Sequence, residues 1–190
     1  PDKQQIINHP ARYALVELVN IHDEGLVFEP IHRVLFNVSM QEMTKAMQDF
    51  YRRQGSGFSI TPCATRETLQ QAMADVHRDA RHSIAFVAAR ECGMLTITNP
   101  RYNLEAETLQ VFLDAFLSRN SAVKIDYIHG DAVVTELGSQ PDNIGFYLPP
   151  IDKYNFFKTI VLDGALPRKT FSMGEADDKR FYLECRKILA

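Results

Sequence analysis

The stretch SIAFVAARECGMLTIT, Ser83 to Thr98, decides the class of fold. Two apolar runs, SIAFVAA and MLTIT, flank RECG, which reads as two strands joined by a hairpin with Gly93 in the turn. Moving outward, the apolar period lengthens from that of a strand to that of a helix. Upstream, Leu69, Ala72, Met73 and Val76 share a helical stripe behind a capping Thr65, with Glu67 in the first turn. GFSIT before it is a short strand. From Met40, the residues Met43, Ala46, Met47, Phe50 and Tyr51 form another helical face, ended by Gly55. Downstream, Asn103 opens what reads as the longest helix, with Leu109, Phe112, Leu113 and Phe116 as its core face. AVKIDYI alternates as a strand does, Asp131 caps a short helix through Leu137, and NIGFYL is a strand closed by Pro149 and Pro150. Asp152 caps a helix carrying Phe156, Phe157, Ile160 and Val161, the first three as core residues, with Gly164 at its end.

Toward the N-terminus, RYALVELVNI (Arg12 to Ile21) reads as a strand, HDEG as a turn, and LVFEPIHRVLFNV as extended chain in which Pro30 marks an edge or a break. The opening PDKQQIINHPAR is polar and helix-like and breaks at Pro10. Toward the C-terminus, RKTFSM and KRFYLECRKI are extended runs with GEADD between them, a terminal β-hairpin. Strands and helices in this alternation imply an α/β protein: a mixed β-sheet flanked by about five helices. No repeat or linker interrupts residues 1–190, which read as one domain; the best seam for two is near Asn99-Pro100.

The composition excludes several classes. The 21 Lys plus Arg against 24 Asp plus Glu give a net charge of −3, so there is no general basic footprint for nucleic acid. No run has the length of a membrane span. Cys63, Cys92 and Cys185 lie far apart with no metal-ligand spacing, as expected of reduced thiols in a cytoplasmic protein without a zinc site. QGSGF lacks the Gly-Lys-Ser/Thr of a phosphate loop, and neither a nucleophile elbow nor a paired-histidine zinc motif occurs. No residue is read as catalytic.

Two stretches carry candidate chemistry. In FEPIHRVLF, Glu29, His32 and Arg33 are ionisable groups inside an apolar run. They form either a structural ion pair, Glu29 with Arg33, or an anion site in which Arg33 offers a planar fork and His32 a switchable proton. In LPRKTFS, Pro167 stiffens a chain bearing the cations Arg168 and Lys169 and the hydroxyls of Thr170 and Ser172. These are the parts of a phosphate or carboxylate cradle. They are equally the parts of a solvated hairpin whose acids are supplied by GEADD.

DEGLVFEPIHRVLF resembles the Gly-Leu-x-x-x-Pro-x-His-Arg stretch of the domain-of-unknown-function family 1015, and GALPRKTFSMGEADDKRFYLECRKI resembles its closing Pro-x-Lys-Ser/Thr-x-Phe motif. NIGFYLPP and DYIHG sit where that family's strands would, so the likeness runs through essentially the whole chain. The match carries over at His32, Arg33, Lys169 and Thr170. At Arg168 many relatives have another residue. The resemblance implies a fold related to the ParB/sulfiredoxin nucleotide-binding fold and, for some relatives, free-serine kinase activity with ATP or ADP and magnesium. It also implies a longer parent whose Asp-Gly-x-His motif would be catalytic. That motif is absent here, so the chain is expected to be the C-terminal half and to turn over nothing alone. The leading expectation is a small-molecule phosphotransferase to which this chain contributes anion-binding residues. The rival is a non-catalytic structural or protein-interaction module.

Overall fold

In the computed structural model, the structure describes residues 18–74, 81–89 and 91–174, together with Lys3 and His9. The helix-like opening, most of the expected strand at Arg12–Ile21, Val76 and the terminal hairpin beyond Gly174 lie outside the described residues.

Among the described residues there are seven strands and five α-helices. In chain order these are β1 (Phe28–Phe36), α1 (Met40–Arg53), β2 (Gly57–Cys63), α2 (Arg66–Ala74), β3 (Arg81–Ala88) and β4 (Glu91–Thr98). They continue as α3 (Glu105–Leu117), β5 (Lys124–His129), α4 (Asp131–Gly138), β6 (Asn143–Tyr147), α5 (Phe156–Asp163) and β7 (Phe171–Met173). The sheet runs β2-β4-β3-β6-β1-β5, with β7 on the first half of β1. The α/β class is as expected, and every described pairing is antiparallel.

Alternation along the strands builds a core on each face. Leu35, Ile84, Phe86, Leu95 and Ile97 pack under α1 and α3, where Met43, Met47, Tyr51, Leu109 and Phe112 are buried. Their neighbours Val34, Ala85, Val87 and Met94 pack on the other face against Leu69 of α2 and Val134 of α4. Helix α1 starts where a capping box forms: Glu42 N–H donates to Ser39 Oγ and the Glu42 carboxylate accepts from Ser39 N–H.

The structure corrects several details of the sequence reading, among them the caps of α4 and α5, whose cap positions are Gly130 and Asn155 rather than Asp131 and Asp152. Gly93 lies inside β4, which begins at Glu91, and stands opposite Phe86 of β3 and Pro62 of β2. A Cβ on Gly93 would stand 2.5 Å from the Thr61 carbonyl oxygen, so this glycine serves a close approach of strands rather than a turn. Asn103 does not cap α3, whose cap position is Leu104; instead its backbone N–H and side-chain amide donate to Asp163. The longest described helix is α1, at 14 residues. On α5 only one stripe turns inward. Phe156 packs edge-on against Phe28 and Phe171, and Thr159 is buried, whereas Phe157 and Val161 are 62% and 83% exposed. A helix with apolar residues on more than one side buries only the face its neighbour covers.

Pro30 marks a handover rather than an edge. Residues 28–30 of β1 pair with β7, and residues 31–36 pair with β5 on one side, joined by β6 on the other from Arg33 onward. The second half of β1 is therefore an interior strand. Helix α4 lies tight on β6, since a Cβ on Gly138 would meet the Gly145 backbone nitrogen at 2.6 Å. That contact sets α4 beside β1 and β6.

Candidate functional site

Neighbouring residues of a strand point to opposite faces, so β1 sends His32 and Arg33 to different environments. Arg33 is fully buried on the α3 face. Its Nε donates to Gln110 Oε1 at 2.9 Å, Nη1 to the carbonyls of Ile31 (2.6 Å) and His32 (3.3 Å), and Nη2 to the Arg168 carbonyl (3.4 Å). The guanidinium also lies 4.5 Å over the Tyr127 ring, its cross-strand partner on β5. Burial pushes its pKa down to about 10, which leaves it charged at neutral pH. Its polar partners are thus Gln110 and three carbonyls rather than Glu29. With its donors engaged inside the protein, Arg33 acts as an anchor for the 168 carbonyl.

What Arg33 anchors is the turn Pro167–Thr170. Thr170 is buried, and its hydroxyl donates back to the Pro167 carbonyl at 2.5 Å. The Arg168 side chain is exposed and held outside by Tyr127 Oη and Asp114 Oδ1, each at 2.9 Å. Lys169, exposed between these fixed points, has φ 55°. A lysine in the left-handed region is uncommon and costs on the order of 1 kcal/mol or more. Pinning on either side holds it there. Arg33, Arg168 and Thr170 therefore come together, partly through backbone; Lys169 shares their turn, and His32 lies on the other face of the sheet.

His32 is 2% exposed. Its Nδ1 accepts from the Leu148 backbone N–H at 3.0 Å, so the ring proton sits on Nε2, which donates to Asp131 Oδ1 at 2.8 Å. Burial lowers the His32 pKa, and the Asp131 carboxylate opposes that shift. Asp131 is in the first turn of α4, where the helix dipole favours a carboxylate. Beside the pair is a cleft of about 270 Å³. Met73, Ala85, Met94 and Leu148 give it apolar walls, and Ser83 and Asp131 give it polar atoms. The sequence reading missed Asp131 as a site residue. The available signal was an ionisable His32 inside an apolar run, which called for a buried partner.

A larger cleft of about 690 Å³ opens at the start of α3. His82, Asn103, Glu105, Lys158 and Thr159 line it. His82, a buried neighbour of Ser83 on the opposite face of β3, has Nδ1 2.9 Å from Thr108 Oγ1. Burial lowers its pKa against the pull of Glu105. Nearby, Glu107 is pushed up by burial and by Asp163, and its Oε2 has no protein partner. Among the described residues no group of three or more His, Cys, Asp or Glu could hold a metal ion, and no helix is long and apolar enough to cross a membrane.

The two buried histidines imply a pH dependence of stability. Both are held below the ordinary value of 6.5 in the folded state, so on acidification the unfolded chain takes up protons first. Their contribution is complete above about pH 6.5 and is lost below it, by up to about 1.4 kcal/mol per pH unit per histidine until the folded-state value is reached. Glu107, shifted upward, changes stability in the opposite sense, so the test belongs in the Glu107→Gln background. There the urea midpoint should fall between about pH 7.5 and 5.5. An unchanged midpoint would mean that neither histidine is held neutral.

This architecture is similar to that of a solved point mutant of a free serine kinase in complex with AMP, with a TM-score of 0.55 and 12% sequence identity. The alignment covers 83% of this chain and 58% of that chain, and at this identity it shows the fold alone. A family model described as "Protein of unknown function (DUF1015)" matches residues 2–116, more than half of the chain, and the chain belongs to that family. The matched range contains His32 and Arg33 and ends before the Pro167–Thr170 turn. No curated protein matches the sequence.

Proposed function

We propose that the chain is part of a small-molecule phosphotransferase that moves a phosphoryl group from ATP or ADP to a free hydroxylated amino acid such as serine. The observation that carries this reading is the Pro167–Thr170 turn. A buried arginine and a buried threonine hold an exposed lysine in a left-handed conformation, a strained arrangement of the kind found where function requires it. Phosphoryl transfer depends mainly on positioning and on stabilising charge, for which an exposed, preset ammonium is suited. The similarity in fold to a kinase solved with AMP supports a nucleotide as the donor. Magnesium would arrive with the nucleotide phosphates and keep several of its waters, as it does where no all-protein cage is built.

In this reading Lys169, with Arg168 beside it, faces the phosphates, while Arg33 and Thr170 position the turn. His32 belongs to a different cleft. The test is a screen of the full-length protein with ATP or ADP and a panel of hydroxylated amino acids, read as phosphomonoester formed together with ADP or AMP respectively. Phosphoester from at least one acceptor is the expected result, and both nucleotides left intact across the panel would sink the proposal.

One observation favours a second reading, a non-catalytic interaction module. Phe157, Val161 and Leu162 on α5 are all more than half exposed, and such clustering is a feature of protein-contact surfaces.

A further inference from the structure

We infer that the cleft beside His32 and Asp131 is a binding site for a small aliphatic ammonium, separate from the phosphate-facing turn. The argument begins with the two nitrogens of His32. One accepts from Leu148 N–H and the other donates to Asp131 Oδ1, so the ring is neutral, fixed and fully engaged. It contributes no charge to the cleft and offers no free nitrogen to a ligand. What it does is hold the carboxylate: Oδ1 of Asp131 is tied down, and no hydrogen bond among the described residues engages Oδ2. The side chain is 69% exposed, so its carboxylate is reachable.

Among the described residues lining the cleft, Asp131 is the only one with a formal charge at neutral pH. The remaining lining is mostly apolar, with Met73, Met94 and Leu148 as walls and Pro149 at the edge. The nearby Tyr147 hydroxyl is engaged with Thr135 at 2.7 Å. With one fixed negative charge and no cation among the described residues that line it, the cleft repels phosphate and carboxylate. It suits a cation with an apolar body, whose ammonium donates to Asp131 Oδ2 while its alkyl chain covers the methionines. The volume of about 270 Å³ accommodates a short alkylamine.

The probe is butylammonium chloride, titrated at neutral pH and followed by backbone amide shifts, with butanol and butyrate as size-matched controls. Saturable shifts at Asp131, Leu148 and Met94 are expected, with a dissociation constant on the order of 1–10 mM. Butanol should bind at least about tenfold more weakly, since it lacks the charge, and butyrate should not compete. Asp131→Asn should weaken butylammonium binding by about tenfold or more. Asp131→Ser, which keeps an oxygen for His32, provides the same test if the asparagine variant fails to fold. Equal binding of butyrate, equal binding of butanol, undiminished affinity in a folded Asp131 variant, or no saturable shift up to about 100 mM would each overturn the assignment. None of these results depends on phosphotransfer activity.

Discussion

Arg33→Ala is expected to destabilise the protein by about 3–5 kcal/mol, because several acceptors lose their donor at about 1–3 kcal/mol for each one that stays buried. The guanidinium makes four polar contacts and stacks on Tyr127. Truncation leaves Gln110 Oε1 and the His32 carbonyl without their donor in a buried setting, and the carbonyls of Ile31 and Arg168 without theirs in a part-buried one. Each such loss costs about 1–3 kcal/mol where water cannot enter. Arg33→Lys should recover little, because one ammonium cannot reproduce the fork that serves Gln110 on one side and carbonyls on the other. The measurement is urea unfolding monitored by circular dichroism. A loss below about 1 kcal/mol, ordinary for a surface position, would mean that Arg33 is accessible to water and available to a ligand.

Phe112→Ala should cost a similar amount, about 3–5 kcal/mol, for a different reason. Phe112 is 1% exposed, and its ring lies 5.4 Å from Phe50, 6.0 Å from Tyr51 and 5.7 Å from Phe116. It joins α1 to α3 above the sheet. Removing the ring opens a cavity that three rigid aromatic neighbours cannot collapse to fill. Phe112→Leu retains most of the volume and should cost well under half as much. If the alanine variant melts within a degree or two of the wild type, the packing of α1 on α3 is not as described.

Much of the framework could be read from periodicity. The stripe through Met43, Met47 and Tyr51 and the face through Leu109, Phe112 and Leu113 are buried as their spacing requires. What local sequence could not supply was the neighbour. Gly93 sits beside a plausible hairpin, and only the pairing of β2 on the far side of β4 shows that its role is close approach. Phe157 and Val161 have the same spacing as a core face, but α5 has more apolar sides than neighbours to cover them. The separation of His32 from Arg33 was legible in principle, because adjacent strand residues face opposite ways. Asp131 and Gln110 were not, since each reaches β1 from an element distant in the chain. The motif residues thus divide into an anchor (Arg33), a turn (Arg168, Lys169, Thr170) and a separate pair (His32 with Asp131).

The claim that the anchored turn serves phosphoryl charge is tested most directly by turnover of Lys169→Ala in the full-length protein, with its melting temperature measured alongside. Lys169 is exposed, so its loss should move stability by no more than about 0.5 kcal/mol. If its ammonium meets charge developing on the transferred group, kcat should fall by about a hundredfold. Unchanged turnover at unchanged stability would contradict the account and leave Arg168, Lys169 and Thr170 as a solvated turn resting on a buried arginine.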